Sequence, residues 1–217
     1  MCRLCIDRGG AVDAASTGGY GRSVPRPPRP QVAGGIYHVT CRGNRKQAAF
    51  RDPDDHRFQL WCLERVAARY DWRVLTYVHM TNHFHITVVT EEPTISRGMQ
   101  WLNGVYAQVF NKREALAGHL FQGRFHSTLI ESDGHLLECT RYDVLNPWRA
   151  GLCDHPLAWR WSSLRATLGI SPKPLFLDSR RLLSMFSRRQ AEARRLYLQF
   201  VEEGMHDAPG SGLRAVA

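Results

Sequence analysis

The chain has 217 residues, a formal net charge of +9 and 43% hydrophobic residues. That apolar content is enough to bury a real core, so the composition excludes a wholly disordered chain. No apolar run reaches the roughly 18 residues of a membrane span, and the first residues lack the apolar stretch of a signal peptide. We therefore expect a cytoplasmic protein without a membrane partner, and the positive charge favours polyanionic partners.

The basic residues are strongly biased toward arginine. Lysine occurs only at Lys46, Lys112 and Lys173 among 29 basic residues. Guanidinium groups bind phosphate with two parallel hydrogen bonds and stack on bases, so the bias agrees with a nucleic-acid partner. Genomic base composition explains an arginine excess equally well. The Cys-x-x-Cys at Cys2 and Cys5 has no second half that would complete a zinc site, which favours free thiols.

From residue 34 onward, the spacing of apolar residues predicts a series of strands and helices. Residues 1–33 lack periodicity and end in a basic, proline-rich run, which predicts a disordered lead. Period-2 alternation predicts strands, and helical spacing of apolar residues predicts helices. The expected strands are 36–42, 72–79, 82–90 and 125–131, and the expected helices between them are 52–70 and 93–113. This βαββαβ order predicts an α+β, ferredoxin-like core with both helices on one sheet face. We expect the opposite face to stay free for nucleic acid.

The sequence after this core predicts more helices. Ser132 or Asp133 can cap a helix that runs through residue 146. Ser187 and Gln190 have the spacing of a capping box, which predicts another helix to about residue 203. We therefore expect a core domain over 34–152, a helical C-terminal extension over 153–208 and a frayed tail over 209–217.

Two short motifs carry the chemistry. If residues 83–89 form a strand, His83 and His85 share one face while Phe84 lies on the other. On a helix, Tyr142 and Asn146 are four residues apart and share a face. Together they predict a metal site beside a nucleophile for phosphoryl transfer. Taken alone, each motif has an ordinary structural reading, as core histidines or a packing tyrosine.

Five segments in register resemble the single-tyrosine HUH transposases, in particular the branch associated with repetitive extragenic palindromes (REP). The segments are YHVTCRGN at 37–44, MTNHFH at 80–85, FQGRF at 121–125, RYDVLNPWRAG at 141–151 and WSS at 161–163. Five motifs in the same order are far stronger than any one of them. The resemblance covers about residues 25–205 and identifies 34–152 as the catalytic domain.

The resemblance implies a role for each site residue. His83 and His85 would be metal ligands, Asn146 the third ligand and Tyr142 the nucleophile. Insertion-sequence relatives usually have glutamine where Asn146 stands, so the shorter side chain requires a closer helix. The implied cofactor is a divalent metal, Mg²⁺ or Mn²⁺. His126 also departs from the family pattern, because lysine is common at its position.

The resemblance implies a metal-dependent, site-specific endonuclease and strand transferase for hairpin-forming, single-stranded DNA, acting through a 5′-phosphotyrosine near the nucleoid. The expected DNA contacts are Arg42, Asn44, Arg45, Arg124, His126 and Arg149, and His38 is an auxiliary candidate. The alternative is a non-catalytic DNA-binding or regulatory module that retains the fold. An RNA-binding reading lacks the aromatic sheet motif it would need. Both a monomer and a homodimer remain open.

Overall fold

The computed structural model describes residues 31–206, so nearly all of the predicted lead and the whole predicted tail lie outside the described residues. Four antiparallel strands form one sheet in the order β2-β3-β1-β4. The strands are β1 (Gly35–Arg42), β2 (Trp72–His79), β3 (His83–Thr90) and β4 (His126–Ile130). The helices are α1 (Pro53–Tyr70), α2 (Ile95–Arg113), α3 (Asp133–Arg149), α4 (Leu164–Thr167), α5 (Ser179–Leu183) and α6 (Gln190–His206). The ferredoxin-like prediction is confirmed.

Side-chain caps mark where α1 and α3 begin. Asp52 accepts two backbone N–H groups of the first turn of α1. Ser132, rather than Asp133, caps α3, as expected of a hydroxyl at the N-cap. Ser187 does precede α6, but its hydroxyl donates to Glu192 instead of pairing with Gln190. The predicted capping box is therefore wrong, because Ser187 pairs with Glu192 and not with Gln190.

One face of the sheet is mainly apolar and carries the main core, with His79 and Thr90 as buried polar residues on it. Phe84, Ile86 and Val88 alternate along β3 and pack with buried residues of α1 and α2. Their period of two places every second residue of the strand on this face. The other residues of β3 consequently face the opposite side.

The opposite face is not free, contrary to the expectation from the sequence. α3 lies across it, and Leu136 of α3 packs with Leu75 and Val89 of the sheet. Arg42 and His126, near one end of β1 and β4, remain exposed on this side. α3 covers this face because several apolar and uncharged side chains on it would otherwise meet water.

The C-terminal extension packs against both α3 and an edge of the sheet. Tyr197 and Val201 of α6 share a buried cluster with Val144 and Leu145 of α3. The backbone around Trp161 pairs with the outer edge of β2, which satisfies N–H and C=O groups that an edge strand exposes. Among residues 31–206, no helix is long and apolar enough to cross a membrane.

Candidate active site

His83 and His85 lie on the face of β3 that meets α3, and each ring is held by a neighbouring side chain. Oδ1 of Asn82 accepts from Nδ1 of His83 at 2.6 Å. Oγ1 of Thr40, on β1, is hydrogen-bonded to Nδ1 of His85 at 3.0 Å. With the proton on Nδ1, the lone pair of each ring lies on Nε2, the nitrogen that can bind a metal.

The environment keeps both rings neutral. Burial, together with a smaller effect of the positive charge of Arg42, lowers the pKa of His83 to about 4. Burial also lowers the pKa of His85 well below its usual range, with added repulsion from His38, His83 and Arg42. Neutral imidazole is the form that coordinates metal ions, so protons do not compete for these ligands near pH 7.

α3 brings Tyr142 and Asn146 to the same place. The rings of Tyr142 and His85 are edge-to-face with centroids 5.6 Å apart. Nδ2 of Asn146 lies 3.2 Å from Nε2 of His85, so the helix is close enough for the short asparagine side chain. Rotation of the amide brings its oxygen, the atom that could bind a metal, to the same position. Tyr142 is partly exposed, and the guanidinium carbon of Arg149 lies 5.7 Å from its ring centroid.

Asp143, the residue after the tyrosine, is a central part of this site that the sequence reasoning missed. Its side chain is fully buried. Oδ1 accepts from Nε2 of His38 at 2.8 Å, and Oδ2 accepts from the hydroxyls of Thr76 at 2.7 Å and Thr87 at 3.0 Å. The spacing contained a signal, because Leu136, Cys139 and Asp143 form an i, i+3, i+7 stripe. An acid on an apolar stripe requires buried partners.

His38 is one of those partners, which corrects its expected role. It is only 4% exposed and is hydrogen-bonded to Asp143. Its ring stacks on that of His85 with centroids 5.3 Å apart. The prediction of an auxiliary phosphate contact at His38 is therefore wrong, since DNA does not reach a buried ring.

His38, His85 and Asp143 also form a candidate metal cluster. Their potential ligand atoms lie within 4.8 Å of one another, and within residues 31–206 no other group of three His, Cys, Asp or Glu side chains meets this condition. The carboxylate of Asp143 already accepts three hydrogen bonds, and Nδ1 of His85 is bonded to Thr40. The His38 and Asp143 side of the cluster is thus occupied by hydrogen bonds, whereas Nε2 of His85 faces Asn146.

The expected DNA contacts surround the end of the sheet where β3 begins. Backbone hydrogen bonds join the loop after β1 to the entry of β3 and to residue 120 in the connection before β4. Exposed on or beside these segments are Arg42, Arg45, Arg124 and His126, while Asn44 is partly buried and Arg149 is exposed at the end of α3. Arg141, by contrast, pairs with Glu138 and lies over the ring of Phe200 on α6.

The sequence over residues 31–142, just over half of the chain, matches the family model of IS200-like transposases. The chain therefore belongs to the IS200-like transposase family, a class of DNA-processing enzymes. No curated protein sequence matches it. The family suggested by the sequence motifs is thus confirmed.

One solved structure shares the fold of this chain, and two others are less similar. A REP-associated tyrosine transposase bound to a REP hairpin is similar over 70% of this chain and 90% of its own, with 15% identity and a TM-score of 0.60. A candidate transposase of Deinococcus radiodurans is similar over 54% and 94%, with 14% identity and a TM-score of 0.39. A tRNA(His) guanylyltransferase of Saccharomyces cerevisiae is similar over 82% of each chain, with 10% identity and a TM-score of 0.40. The first match shows a shared fold, and the other two add nothing to it.

Proposed function

We propose that this transposase is a metal-dependent endonuclease and strand transferase that cuts single-stranded DNA beside a hairpin-forming repeat through Tyr142. The observation that carries the proposal is the meeting of Tyr142 and Asn146, on α3, with His85 on β3. Family membership supports DNA as the substrate. The hairpin bound to the structure of similar fold supports a hairpin as the element recognised.

His83, His85 and Asn146 would hold the metal ion. Two neutral imidazoles and an amide oxygen suit a divalent cation, and phosphate chemistry favours Mg²⁺ or Mn²⁺. When bound, the ion would polarise a phosphate oxygen and offset the charge that develops on it. Asn82 and Thr40 hold the two rings, which orients the ligand nitrogens in advance.

Tyr142 supplies the nucleophile. Its phenolic oxygen forms a bond to phosphorus as the bond from phosphorus to the 3′-oxygen breaks. The phenol loses its proton, and the departing 3′-oxygen gains one. The product is a 5′-phosphotyrosine and a free 3′-hydroxyl, and attack by a 3′-hydroxyl reverses the step without another energy source. The Arg149 guanidinium beside the ring favours the phenolate over the phenol.

The cationic and polar side chains around the site would position the strand. Arg42, Arg45, Arg124 and Arg149 are proposed phosphate contacts, and Asn44 and His126 are proposed polar contacts. The proposed catalytic groups meet within a single chain, and the proposal holds for a monomer and for a homodimer. A dimer that exchanges α3 would need the same contacts between two chains.

A covalent DNA adduct tests this function. The protein would be incubated with end-labelled hairpin DNA taken from beside its own gene, with Mn²⁺ or with EDTA, and resolved on a denaturing gel. We expect a protein-linked fragment that requires Mn²⁺, His83 and Tyr142. Tyr142→Phe should abolish it, whereas the matched control Tyr70→Phe, at a partly buried phenol on α1, should not. Hairpin binding without any adduct would instead support the non-catalytic DNA-binding module.

A further inference from the structure

We propose that Asp143 is a positioning residue that holds Tyr142 against the metal site. We call Asp143 and its three partners, His38, Thr76 and Thr87, the Asp143 anchor. The inference rests on the proposed function of Tyr142, and it assigns the anchor a role in the rate of cutting rather than in DNA or metal binding.

The anchor ties one point of α3 to three strands. His38 lies on β1, Thr76 on β2 and Thr87 on β3, and all three donate to the same carboxylate. Hydrogen bonds are directional, and those to a charged acceptor are the stronger kind. Each helical residue advances 1.5 Å and turns about 100°, so sliding by one residue would break all three bonds and turn Tyr142 away from His85.

Apolar packing alone would not fix the helix in this way. Leu136 lies on the same stripe of α3, and its apolar side chain packs without directional bonds. A buried carboxylate costs several kcal/mol in lost hydration, whereas an apolar side chain at this position would be buried favourably. The anchor therefore lowers the stability of the fold but fixes the position of α3 on the sheet beside the nucleophile. Buried polar groups fix the register of some coiled coils in the same way.

The anchor also reaches the metal site. His38, held by Asp143, stacks on the ring of His85 with an interplanar angle of 14°. The anchor thus adjoins the metal site without holding its ligand: the ring of His85 is held separately by Thr40, whereas the position of the nucleophile depends on Asp143. A misplacement of about 1 Å in such a site lowers a reaction rate by up to about a hundredfold.

The experiment removes one hydroxyl from the anchor and compares it with a matched hydroxyl outside. Thr87→Val deletes a donor to Asp143, and Thr90→Val is its control. Thr90 is a buried threonine of the same strand whose hydroxyl has no hydrogen-bond partner within residues 31–206. Single-turnover adduct formation would be measured at saturating hairpin DNA and Mn²⁺. Calorimetry would give the Mn²⁺ affinity, and thermal melts the folded fraction.

We expect Thr87→Val to slow adduct formation about tenfold or more while Mn²⁺ and DNA affinities stay within about twofold. Thr87→Ser, which keeps the hydroxyl, should restore most of the rate, and Thr90→Val should stay close to the wild type. Thr76→Val is the second test of the same carboxylate oxygen and should also be slow. The combination of Thr76→Val and Thr87→Val should be slower than either alone.

Two results would overturn the inference. One is a Thr87→Val protein that is folded and cuts as fast as Thr90→Val, with Thr76→Val equally fast. The other is a loss of Mn²⁺ affinity that accounts for the whole loss of rate, which would assign the carboxylate to metal binding. A wild-type protein that forms no adduct is a separate outcome, because it contradicts the function of Tyr142 itself.

Discussion

The eight residues of β3 present two faces with different roles. Phe84, Ile86 and Val88 face α1 and α2 in a dry, apolar layer. His83 and His85 face α3, where nearly every contact is a hydrogen bond or a ring edge. Apolar packing tolerates small shifts, but directional bonds do not. The apolar face therefore supplies stability, and the opposite face supplies geometry.

Replacing two neighbouring residues of β3 by alanine, one on each face, should give the largest difference between an effect on stability and an effect on metal binding. We expect Phe84→Ala, on the apolar face, to lower the free energy of unfolding by about 3–5 kcal/mol, because it leaves a cavity among buried rings. His83→Ala should lower it by less than about 1 kcal/mol but remove Mn²⁺ binding. Urea unfolding and calorimetric Mn²⁺ titration would measure the two effects. Equal destabilisation by His83→Ala and Phe84→Ala would contradict the claim that only the apolar face supplies stability.

The helix side of the apolar face can be tested with two glycines of α2. A Cβ on Gly98 would lie 2.1 Å from the ring of Trp72, whereas nothing lies within 4 Å of one on Gly104. Gly98→Ala should destabilise the protein by about 1–3 kcal/mol through overpacking. Gly104→Ala should stabilise it by about 0.5–1 kcal/mol through helix propensity. Thermal unfolding of both variants measures the two effects. Equal effects would show that α2 does not pack closely against Trp72 at Gly98.

The apolar face has histidines of its own, and their behaviour should differ from that of the site histidines. His56 stacks between Phe50 and Trp161, with His79 beside it. Burial lowers the pKa of His56 to about 4, partly opposed by Asp52 and reinforced by Arg160. Below pH 6.5 the unfolded chain takes up a proton that the folded chain refuses, so stability falls with pH until about pH 4.

We expect this histidine to contribute a loss of roughly 1–2 kcal/mol between pH 7 and pH 5. His56→Phe keeps a ring in the stack and should flatten the stability profile over that interval. Urea unfolding at a series of pH values measures the slope. An identical slope in the variant would mean that His79, whose pKa burial lowers well below the usual range, or other groups carry the whole effect.

The sequence predicted the apolar face better than the opposite one. Alternation in β3 and helical spacing in α2 depend only on nearby residues, so both elements and their buried sides followed directly. The spacing of Tyr142 and Asn146 also predicted that they share a face of α3. The position of α3 across the sheet did not follow, because it depends on contacts between residues far apart in sequence.

Asp143 shows the same limit within the site. Its partners lie 105, 67 and 56 residues away along the chain. No local pattern connects an aspartate with one histidine and two threonines on three strands. The apolar stripe of α3 indicates that Asp143 needs partners, but only the sheet order β2-β3-β1 identifies which ones.

The smallest expected effect concerns the loop that joins the site to the sheet. Arg45 and Lys46 form the centre of a tight turn and both have positive φ, at 53° and 60°. This conformation costs a side-chain-bearing residue roughly 1–2 kcal/mol, and glycine adopts it freely. Lys46→Gly should therefore raise the free energy of unfolding by up to about 1 kcal/mol, partly offset by the flexibility of glycine in the unfolded chain.

The same substitution should weaken hairpin binding, because it removes an exposed cation from the rim of the proposed DNA site. The salt dependence of binding should lose about one unit of slope, the signature of one phosphate contact. Gln47→Gly is the control, since Gln47 is extended and uncharged; it should gain no stability and keep the slope. Lys46→Gly could instead gain stability without weakening hairpin binding. The lysine would then have no role in DNA binding, and the geometric role of the face that meets α3 would not extend to this loop.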